Sequence, residues 1–246
     1  MNAPVNCGTI WGVGLGPGDP DLMTLRADRL LRSANHVAYF RKAGRKGHAR
    51  QIVEGRLHVD VVEYPMEYPV TTEIPVSDPA YNATLSAFYE RVSDHLAALA
   101  RSGADVVVLC EGDPFFYGSF MHLHSRLTGR VPVRVVPAIT GMSAAWTATD
   151  QPITWGDDVL TVLPATLPEE ELVQRISGSD AVVVMKIGTN MPKLRRALVQ
   201  AGRAGQTWLV QYASQSGEQV MRLSEAEEGR MPYFTIALIH GQGRRP

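Results

Sequence analysis

A glycine-rich loop near the start of the chain has the composition of a ligand-binding turn. Residues 12–20 read Gly-Val-Gly-Leu-Gly-Pro-Gly-Asp-Pro and overlap the end of a predicted strand, 9–15. A dinucleotide fingerprint, G-x-G-x-x-G, would need glycine at position 17 or 19, where Pro17 and Asp19 stand, and no Gly-Lys-Ser/Thr follows for a P-loop. Proline removes a backbone N–H and aspartate adds negative charge, so the loop favours an uncharged or zwitterionic ligand over a pyrophosphate. On spacing alone, a purely structural strand-to-helix turn is an equal alternative.

A second segment with chemical potential is 111–118, which reads Glu-Gly-Asp-Pro-Phe-Phe-Tyr-Gly. It follows a continuous apolar run, 104–109, and so lies at the carboxyl end of a buried strand, where α/β sheets bind ligands. Its carboxylates can accept hydrogen bonds from hydroxyl or amino groups, and Phe115 and Phe116 can pack against a flat ring. The alternative is an ordinary Gly-Asp-Pro turn beside core aromatics.

The densest basic run of the chain lies directly after another predicted strand, 36–40. Arginine forks match carboxylates in a bidentate geometry, so this run is a candidate clamp for an acidic ligand. A solvated basic loop is the alternative. The candidate substrate-binding residues are Arg41, Lys42, Arg45, Lys46 and Arg50.

No nucleophile with a neighbouring base and no metal-ligand spacing stands out. His122 and His124 flank Leu123 on a predicted helix, where residues two positions apart face different sides. Cys7 and Cys110 are too few for a disulfide framework or a metal cage and are expected to be reduced thiols. The sequence therefore indicates binding and alignment of a ligand, with no metal.

The elements that must position these segments alternate between short apolar runs and helical patterns, which predicts an α/β fold. Asp78 and Pro79 begin the clearest helix, and Gly103 ends it. The proline-rich stretch 64–77 is predicted to be a loop or edge excursion and not a regular element. Because 137–141 interrupts the alternation, we expect one α/β domain over 1–138 and a second over 139–246. Further strands are predicted at 57–63, 133–136, 159–163, 181–187, 207–212 and 233–239, and further helices at 21–33, 168–176 and 191–201.

Composition and charge exclude several classes of protein. Of the 246 residues, 45% are hydrophobic and 20% charged, which is typical of a folded globular chain. The formal net charge of −1 argues against a general nucleic-acid binder. No run approaches the roughly 20 apolar residues that span a bilayer, and residues 1–10 lack the pattern of a secretory leader. We therefore expect a cytoplasmic protein without a membrane segment.

Taken together and in order, these segments resemble the tetrapyrrole methylase family. The matching stretches are 13–27, 111–114, 137–143 and 184–186, which span nearly the whole chain. The resemblance implies a class III methyltransferase fold of two α/β domains, a homodimer, and S-adenosylmethionine as methyl donor, folded in the cleft between the domains. Ala138 stands where many members of the family have glycine, Ala213 stands where some do, and each adds one methyl group. The residues implied to contact the cofactor are Pro17, Gly112, Asp113, Phe116, Thr140, Gly141, Met185 and Ala213.

Within the family, segments 39–45, 142–144 and 154–158 resemble the branch that acts on precorrin-2. This implies methylation of carbon C20 to give precorrin-3A in cobalamin biosynthesis. The carbons of a reduced tetrapyrrole are already nucleophilic, so the enzyme must chiefly align the reactants and exclude water. A proton must then leave the methylated carbon. Glu111, Asp113 and Tyr117 are chemically suitable acceptors, and the sequence does not rank them.

Other functions stay open at this point. The same family includes enzymes for other tetrapyrroles, such as cobalt-factor II or uroporphyrinogen III, and for the diphthamide precursor on a protein. An NADP-dependent oxidoreductase would use Arg41 and Lys42 to bind a 2′-phosphate, and a non-catalytic tetrapyrrole carrier is a third class. The failed dinucleotide spacing argues against the oxidoreductase, and the basic run against a protein substrate. The sequence does not separate a metal-free substrate from a cobalt-containing one.

Overall fold

The computed structural model describes residues 7–69 and 78–245, and the chain divides into two compact units between Thr140 and Gly141. Each unit contains one five-stranded sheet with helices packed on it, so the predicted α/β fold is confirmed. The assignment of the glycine-rich and basic loops to a domain 1–138, and of the rest of the cofactor site to a domain 139–246, stays a prediction. The strands and helices of the first unit are β1 (Ile10–Gly14), α1 (Leu25–Arg32), β2 (His36–Lys42), α2 (His48–Ile52), β3 (Val62–Tyr68), α3 (Pro79–Arg101), β4 (Val106–Cys110), α4 (Phe120–Leu127) and β5 (Val133–Val136).

The sheet of the first unit is entirely parallel, in the order β3-β2-β4-β1-β5. Its central strand β4 is buried along its whole length because helices cover both faces. Side chains alternate along it: Val108 lies in one core with Phe88 of α3, and Leu109 in another with Leu31 of α1. The near-continuous apolar sequence of β4 is the direct result of this two-sided burial.

The connections of this sheet depart in opposite directions from β1 and β4, and we call this switch point at the carboxyl ends of the two strands the β1–β4 crevice. The chain leaves β1 and passes over β4 to reach β2, whereas it leaves β4 and passes over β1 to reach β5. Adjacent strands whose connections depart in opposite directions leave a gap at their carboxyl ends, and this is where open α/β sheets bind ligands. The residues that follow Gly14 and Cys110 are therefore the candidate ligand-binding residues of this sheet.

The second unit has a mixed sheet in the order β6-β7-β10-β8-β9. Strand β10 is antiparallel to both β7 and β8, so those two strands run in the same direction and end at the same edge. One face of the sheet packs on α6 and α7, and the other on α5. The elements of this unit are α5 (Gly141–Ala148), β6 (Leu160–Pro164), α6 (Glu169–Ser177), β7 (Ala181–Met185), α7 (Met191–Gln200), β8 (Trp208–Gln211), β9 (Gln219–Arg222) and β10 (Thr235–Ile239).

The long helix α3 forms where local signals are strongest. The Asp78 side chain accepts a hydrogen bond from the Ala80 amide at 2.8 Å, which satisfies a free N–H of the first turn. Phe88, Val92 and Leu96, spaced by four residues, are all at most 2% exposed. The predicted helix is therefore confirmed, and these three residues lie along its buried face. None of the helices in the described part of the chain is long and apolar enough to cross a membrane.

Strand β3 corrects the sequence prediction. The sequence predicts a strand at 57–63 and a loop or edge excursion at 64–77, but a regular strand covers Val62–Tyr68 and includes Pro65. Because β3 is an edge strand, one side of it forms no ladder, and a proline without an N–H is tolerated there. Residues 70–77 of the expected loop lie outside the described residues.

The sequence does not predict three short elements, because each is too short to show a clear pattern. Helices α2 and α5 and strand β9 are five, eight and four residues long, and their sequences carry little periodicity. Helix α1, in contrast, was predicted from residue 21 but begins at Leu25. The Thr24 hydroxyl caps it by accepting from the Ala27 amide at 3.2 Å, and a separate 3-10 turn occupies residues 20–22.

Candidate functional site

The two segments that the sequence singles out are neighbours at the β1–β4 crevice. The Leu15 amide donates to the Cys110 carbonyl at 2.9 Å, and the Gly112 amide donates to the Gly16 carbonyl at 2.8 Å. Gly16 and Gly112 thereby form an isolated antiparallel bridge just beyond the parallel ladder. The glycine-rich loop that carries Pro17 is held directly against the segment that carries Gly112.

Gly14 is the point of closest approach in this crevice. A Cβ atom added to it would lie 2.6 Å from the Cβ of Ala138, 2.8 Å from the Gly112 carbonyl oxygen and 2.9 Å from Cδ of Pro114. These distances are shorter than normal van der Waals contact, so only glycine fits. The methyl group of Ala138 is accommodated because position 14 has no side chain.

Asp113 joins a third segment to the other two. Its Oδ1 accepts a hydrogen bond from the Phe115 amide at 2.9 Å, and its Oδ2 accepts one from the Ala138 amide at 3.0 Å. The carboxylate therefore fixes both its own loop and the turn that leads to Thr140. The bond to the Phe115 amide agrees with the Gly-Asp-Pro turn that the sequence offers as an alternative, whereas the bond to the Ala138 amide joins residues 25 positions apart, and no local pattern predicts it.

Glu111 differs from Asp113 in its electrostatic environment. Burial raises the pKa of its carboxyl group to about 7, and a hydrogen bond from the Ala49 backbone amide lowers the pKa in part. Within the described residues it forms no ion pair. An acid in the crevice that exchanges its proton near neutral pH is a functional candidate, and nothing in the sequence distinguishes it from Asp113 or Tyr117.

The basic run divides into paired and unpaired side chains. Arg50 makes a bidentate ion pair with Glu63, with both N···O distances 2.8 Å, and the Tyr39 hydroxyl bonds the same carboxylate. Hydrogen bonding by Arg50 is the main reason that the pKa of Glu63 is below its ordinary value. Arg41 pairs with Glu67 at 2.6 and 2.9 Å. These arginines hold β2, α2 and β3 together.

The remaining members of the run are more exposed. Lys46 pairs with Glu54 at 3.1 Å, and both side chains are more than 60% exposed. Lys42 and Arg45 flank a turn in which the Arg45 amide donates to the Lys42 carbonyl at 3.1 Å. Neither of these two side chains forms an ion pair with any residue in 7–69 or 78–245. They are the cations of this loop that are available to an acidic ligand.

In the second unit, the fold gathers Gly141, Met185 and Ala213 at one edge of the sheet. Met185 ends β7, and Ala213 lies two residues beyond the end of β8, which runs in the same direction. Gly141 begins α5 beside Ile236 near the start of β10, the strand between them. Met185 and Ala213 belong to the apolar cluster on which α5 packs.

Left-handed backbone conformations cluster at the same segments. Such conformations cost free energy in residues other than glycine and persist where the surrounding structure enforces them, often at functional sites. Five residues other than glycine adopt this conformation in the described part of the chain. Asp150 lies away from the predicted site. The four that adjoin predicted cofactor contacts are Tyr117 (φ 55°), Lys186 (57°), Tyr212 (51°) and Ser214 (59°). No sequence signal marks them, because none is glycine.

Two further predicted features make structural contacts. The Asp158 Oδ2 accepts hydrogen bonds from the Trp155 amide at 2.8 Å and the Gly243 amide at 3.2 Å, so segment 154–158 holds the end of the chain. His122 packs on Tyr89 and His124 on Phe115, with ring centroids 4.6 and 4.8 Å apart. In the described ranges, no three His, Cys, Asp or Glu side chains are grouped as metal ligands.

Sequence comparison places the chain among known proteins. Residues 9–227 match the family described as Tetrapyrrole (Corrin/Porphyrin) Methylases. The chain is 47% identical over 242 residues to a precorrin-2 C(20)-methyltransferase of Sinorhizobium sp., covering 98% of this chain and 99% of that protein. It is 28% identical over 240 residues to a cobalt-precorrin-2 C(20)-methyltransferase of Salmonella typhimurium, covering 96% and 97%.

Structural comparison agrees on the fold. A crystal structure of uroporphyrin-III C-methyltransferase from Thermus thermophilus, complexed with S-adenyl homocysteine, is similar with a TM-score of 0.65 and 24% sequence identity. The similarity covers 95% of this chain and 97% of that one. Since the family match extends over most of the sequence and the fold agrees, the chain belongs to the tetrapyrrole (corrin/porphyrin) methylases.

Proposed function

We propose that this chain transfers a methyl group from S-adenosylmethionine to carbon C20 of precorrin-2, giving precorrin-3A in cobalamin biosynthesis. The observation that carries the proposal is the 47% identity, over nearly the full length of both chains, to a precorrin-2 C(20)-methyltransferase. The lower identity of 28% to a cobalt-precorrin-2 enzyme favours the metal-free substrate. The paired and unpaired cations of the basic loop are consistent with a substrate that carries many carboxylates.

The residues present fit a methyl donor of this kind. At Gly14 the segments approach so closely that a Cβ atom would collide with Cβ of Ala138, the Gly112 carbonyl oxygen and Cδ of Pro114, so a side chain at this position would fill the space between them. When bound, the donor supplies an electrophilic methyl group. We assign its binding to residues of both predicted domains, 1–138 and 139–246. These residues are Pro17, Gly112, Asp113 and Phe116 in the first, and Thr140, Gly141, Met185 and Ala213 in the second.

The substrate carboxylates are proposed to bind the basic loop, with its members in two roles. Lys42 and Arg45 make the direct contacts, because their side chains are exposed and form no ion pair in the described structure. Arg41 and Arg50 set the position of the loop through their carboxylate pairs and contribute to the field that attracts the substrate. Lys46 adds a third exposed cation.

The chain's part in the reaction is alignment and exclusion of water. The substrate carbon is itself the nucleophile, so no activated serine, cysteine or metal-bound hydroxide is needed. Half-buried and aromatic residues such as Phe116 reduce the access of water to the crevice.

The proposal is tested by incubating the protein with methyl-labelled S-adenosylmethionine and precorrin-2, cobalt-precorrin-2 or uroporphyrinogen III in separate reactions. We expect one label per molecule at C20 of precorrin-2 and much slower transfer to the other two. Label at another carbon, or preference for another tetrapyrrole, contradicts the substrate assignment. Calorimetry with S-adenosylhomocysteine and NADPH separates the classes: binding of NADPH alone supports the oxidoreductase, and binding of neither supports a carrier.

The clamp is tested with the double variant Lys42→Ala/Arg45→Ala and the matched control Arg175→Ala, an exposed arginine of α6. Loss of two charge-assisted contacts should weaken substrate binding by about tenfold or more, with the affinity for S-adenosylhomocysteine unchanged. The control should change neither. Wild-type substrate affinity in the double variant would rule out the clamp.

We also propose that the protein is a cytoplasmic homodimer. The family resemblance supports the dimer, and sedimentation equilibrium of the purified chain tests it. A monomer of the chain's mass of 26.9 kDa at micromolar concentration would contradict the proposal.

A further inference from the structure

The position of Glu111 places a carboxyl group at the centre of the ligand edge. It directly follows β4, the middle strand of the parallel sheet, and precedes Gly112, which is bonded to the glycine-rich loop. Cys110 belongs to the core beneath α3 and α4, so the next side chain along the strand points to the other face. The hydrogen bond from Ala49 agrees, because Ala49 lies in α2 on that face. Glu111 therefore stands between the β1–β4 crevice and the basic loop.

The surroundings of Glu111 supply no charge that would hold it ionised. Its carboxylate has no ion pair in the described structure, and burial raises its pKa to about 7. Arg50 is the cation of α2, and it is bound to Glu63. Burial also lowers the pKa of His48 and raises those of Tyr39 and Cys110. The titratable and charged groups on the elements around Glu111 are Cys110, Asp113 and Tyr117 on its own segment, Asp19 on the glycine-rich loop, His36, Tyr39, Arg41 and Lys42 on β2, and His48 and Arg50 on α2.

Asp113 and Tyr117, the other two candidate proton acceptors, are less suitable than Glu111. Both oxygens of Asp113 already accept backbone N–H groups, so this carboxylate is engaged in holding its own loop and the turn before Thr140. Tyr117 is 43% exposed, and a neutral phenol is a weak proton acceptor. Glu111 is a partly buried carboxyl group that lies beside the basic loop.

We propose that Glu111 is the catalytic base that removes the proton from C20 of the substrate once that carbon has been methylated. The inference rests on the proposed function and assigns the one step that the binding residues leave unexplained. A base whose own pKa lies near the working pH combines a substantial ionised fraction with useful basicity.

The proton-removal step balances without any further reactant. After methyl transfer, C20 carries both a methyl group and a hydrogen, and the conjugated ring system bears one positive charge. The C20–H bond breaks, its electron pair returns to the ring and restores neutrality, and the proton forms an O–H bond with the Glu111 carboxylate. Glu111 then releases this proton to solvent.

The test separates methyl transfer from proton removal in a single turnover. S-adenosylhomocysteine formation is followed by rapid quench, and the product chromophore by absorbance, in the wild type, Glu111→Gln and the control Glu90→Gln. Wild type and control should form both products together. In Glu111→Gln we expect S-adenosylhomocysteine to form at a near-normal rate and the chromophore to appear about 100-fold later. Deuterium at C20 should lengthen that delay.

Coincident formation of both products in Glu111→Gln would overturn the proposal, because a residue with only a structural role slows them together. If Glu111→Gln is poorly folded, Glu111→Ala with added formate supplies the second test. Restoration of chromophore formation by formate supports the base, and its absence in a variant that still binds S-adenosylhomocysteine contradicts it. Failure of the wild type to methylate precorrin-2 at all would instead reject the proposed function.

Discussion

Replacing Glu111 by glutamine should stabilise the ligand-free protein, and only at neutral to alkaline pH. The substitution keeps the shape of the side chain and an oxygen that can accept the Ala49 amide, but it removes the ionisable group. The carboxyl group has an ordinary pKa of 4.5 and a folded-state pKa of about 7. Since each tenfold change in an acid constant is worth about 1.4 kcal/mol, ionising Glu111 in the folded protein costs on the order of 3 kcal/mol.

The sign of the pH dependence follows from proton linkage. Because the folded-state pKa is raised, the folded protein binds more protons than the unfolded chain between these two values, and stability falls as pH rises through this window. At about pH 5 the wild type holds Glu111 protonated, and the variant should differ little from it. At about pH 8 the full cost is present, so Glu111→Gln should be more stable by about 1–3 kcal/mol.

Urea denaturation followed by far-ultraviolet circular dichroism at these two pH values measures the difference. Glu90→Gln is the matched control, because Glu90 is an exposed partner of Arg126 and Arg130 in the same unit. An exposed ion pair contributes about 0–1 kcal/mol, so the control should show a small change of similar size at both pH values. Equal stability of wild type and Glu111→Gln at about pH 8 would refute the reasoning, since it would mean that the folded protein carries the charge without cost.

Three other substitutions test the framework of the site. Gly14→Ala should weaken S-adenosylhomocysteine binding at least about tenfold in calorimetry, because the added Cβ would lie 2.6–2.9 Å from atoms of Gly112, Pro114 and Ala138. The control Gly205→Ala, whose added Cβ would have no neighbouring atom within 4 Å, should bind normally. Arg50→Ala should lower the free energy of unfolding by about 1–3 kcal/mol at neutral pH. That loss should shrink as pH falls through the lowered folded-state pKa of Glu63, because protonation removes the pair in the wild type as well; an undiminished difference in acid contradicts the pairing. Asp158→Ala should release the chain end, and limited proteolysis should then cut residues 241–245 faster than in the wild type.

Features that depend on neighbouring residues in sequence were predicted well. Helix α3 is specified by a capping aspartate, a proline in the first turn and apolar residues three and four apart, and all of these act within a few residues. The buried strand β4 is recognisable because it must be apolar on both faces. The resemblance of the glycine-rich loop and of segment 111–114 to a known family added the cofactor, which spacing alone left undecided.

Features that depend on partners distant in sequence were not predicted. Strand β3 includes Pro65 because it lies at the sheet edge, and edge position is a property of the assembled sheet. Arg50 and Arg45 are alike in the sequence, yet among the described residues only Arg50 meets a carboxylate, that of Glu63 on a neighbouring strand. The left-handed conformation of Lys186 has no local signal either.

The sequence by itself determined the α/β class, the order of most elements and the segments from which a methyltransferase site is built. Only the tertiary structure decided what each polar side chain in those segments does. Asp113 and Glu111 are two acids separated by one glycine, but one receives two backbone N–H groups and the other is partly buried, with no ion pair among the described residues. The pKa and role of a carboxyl group follow from its solvation and its neighbours in space, and these exist only once the chain has folded.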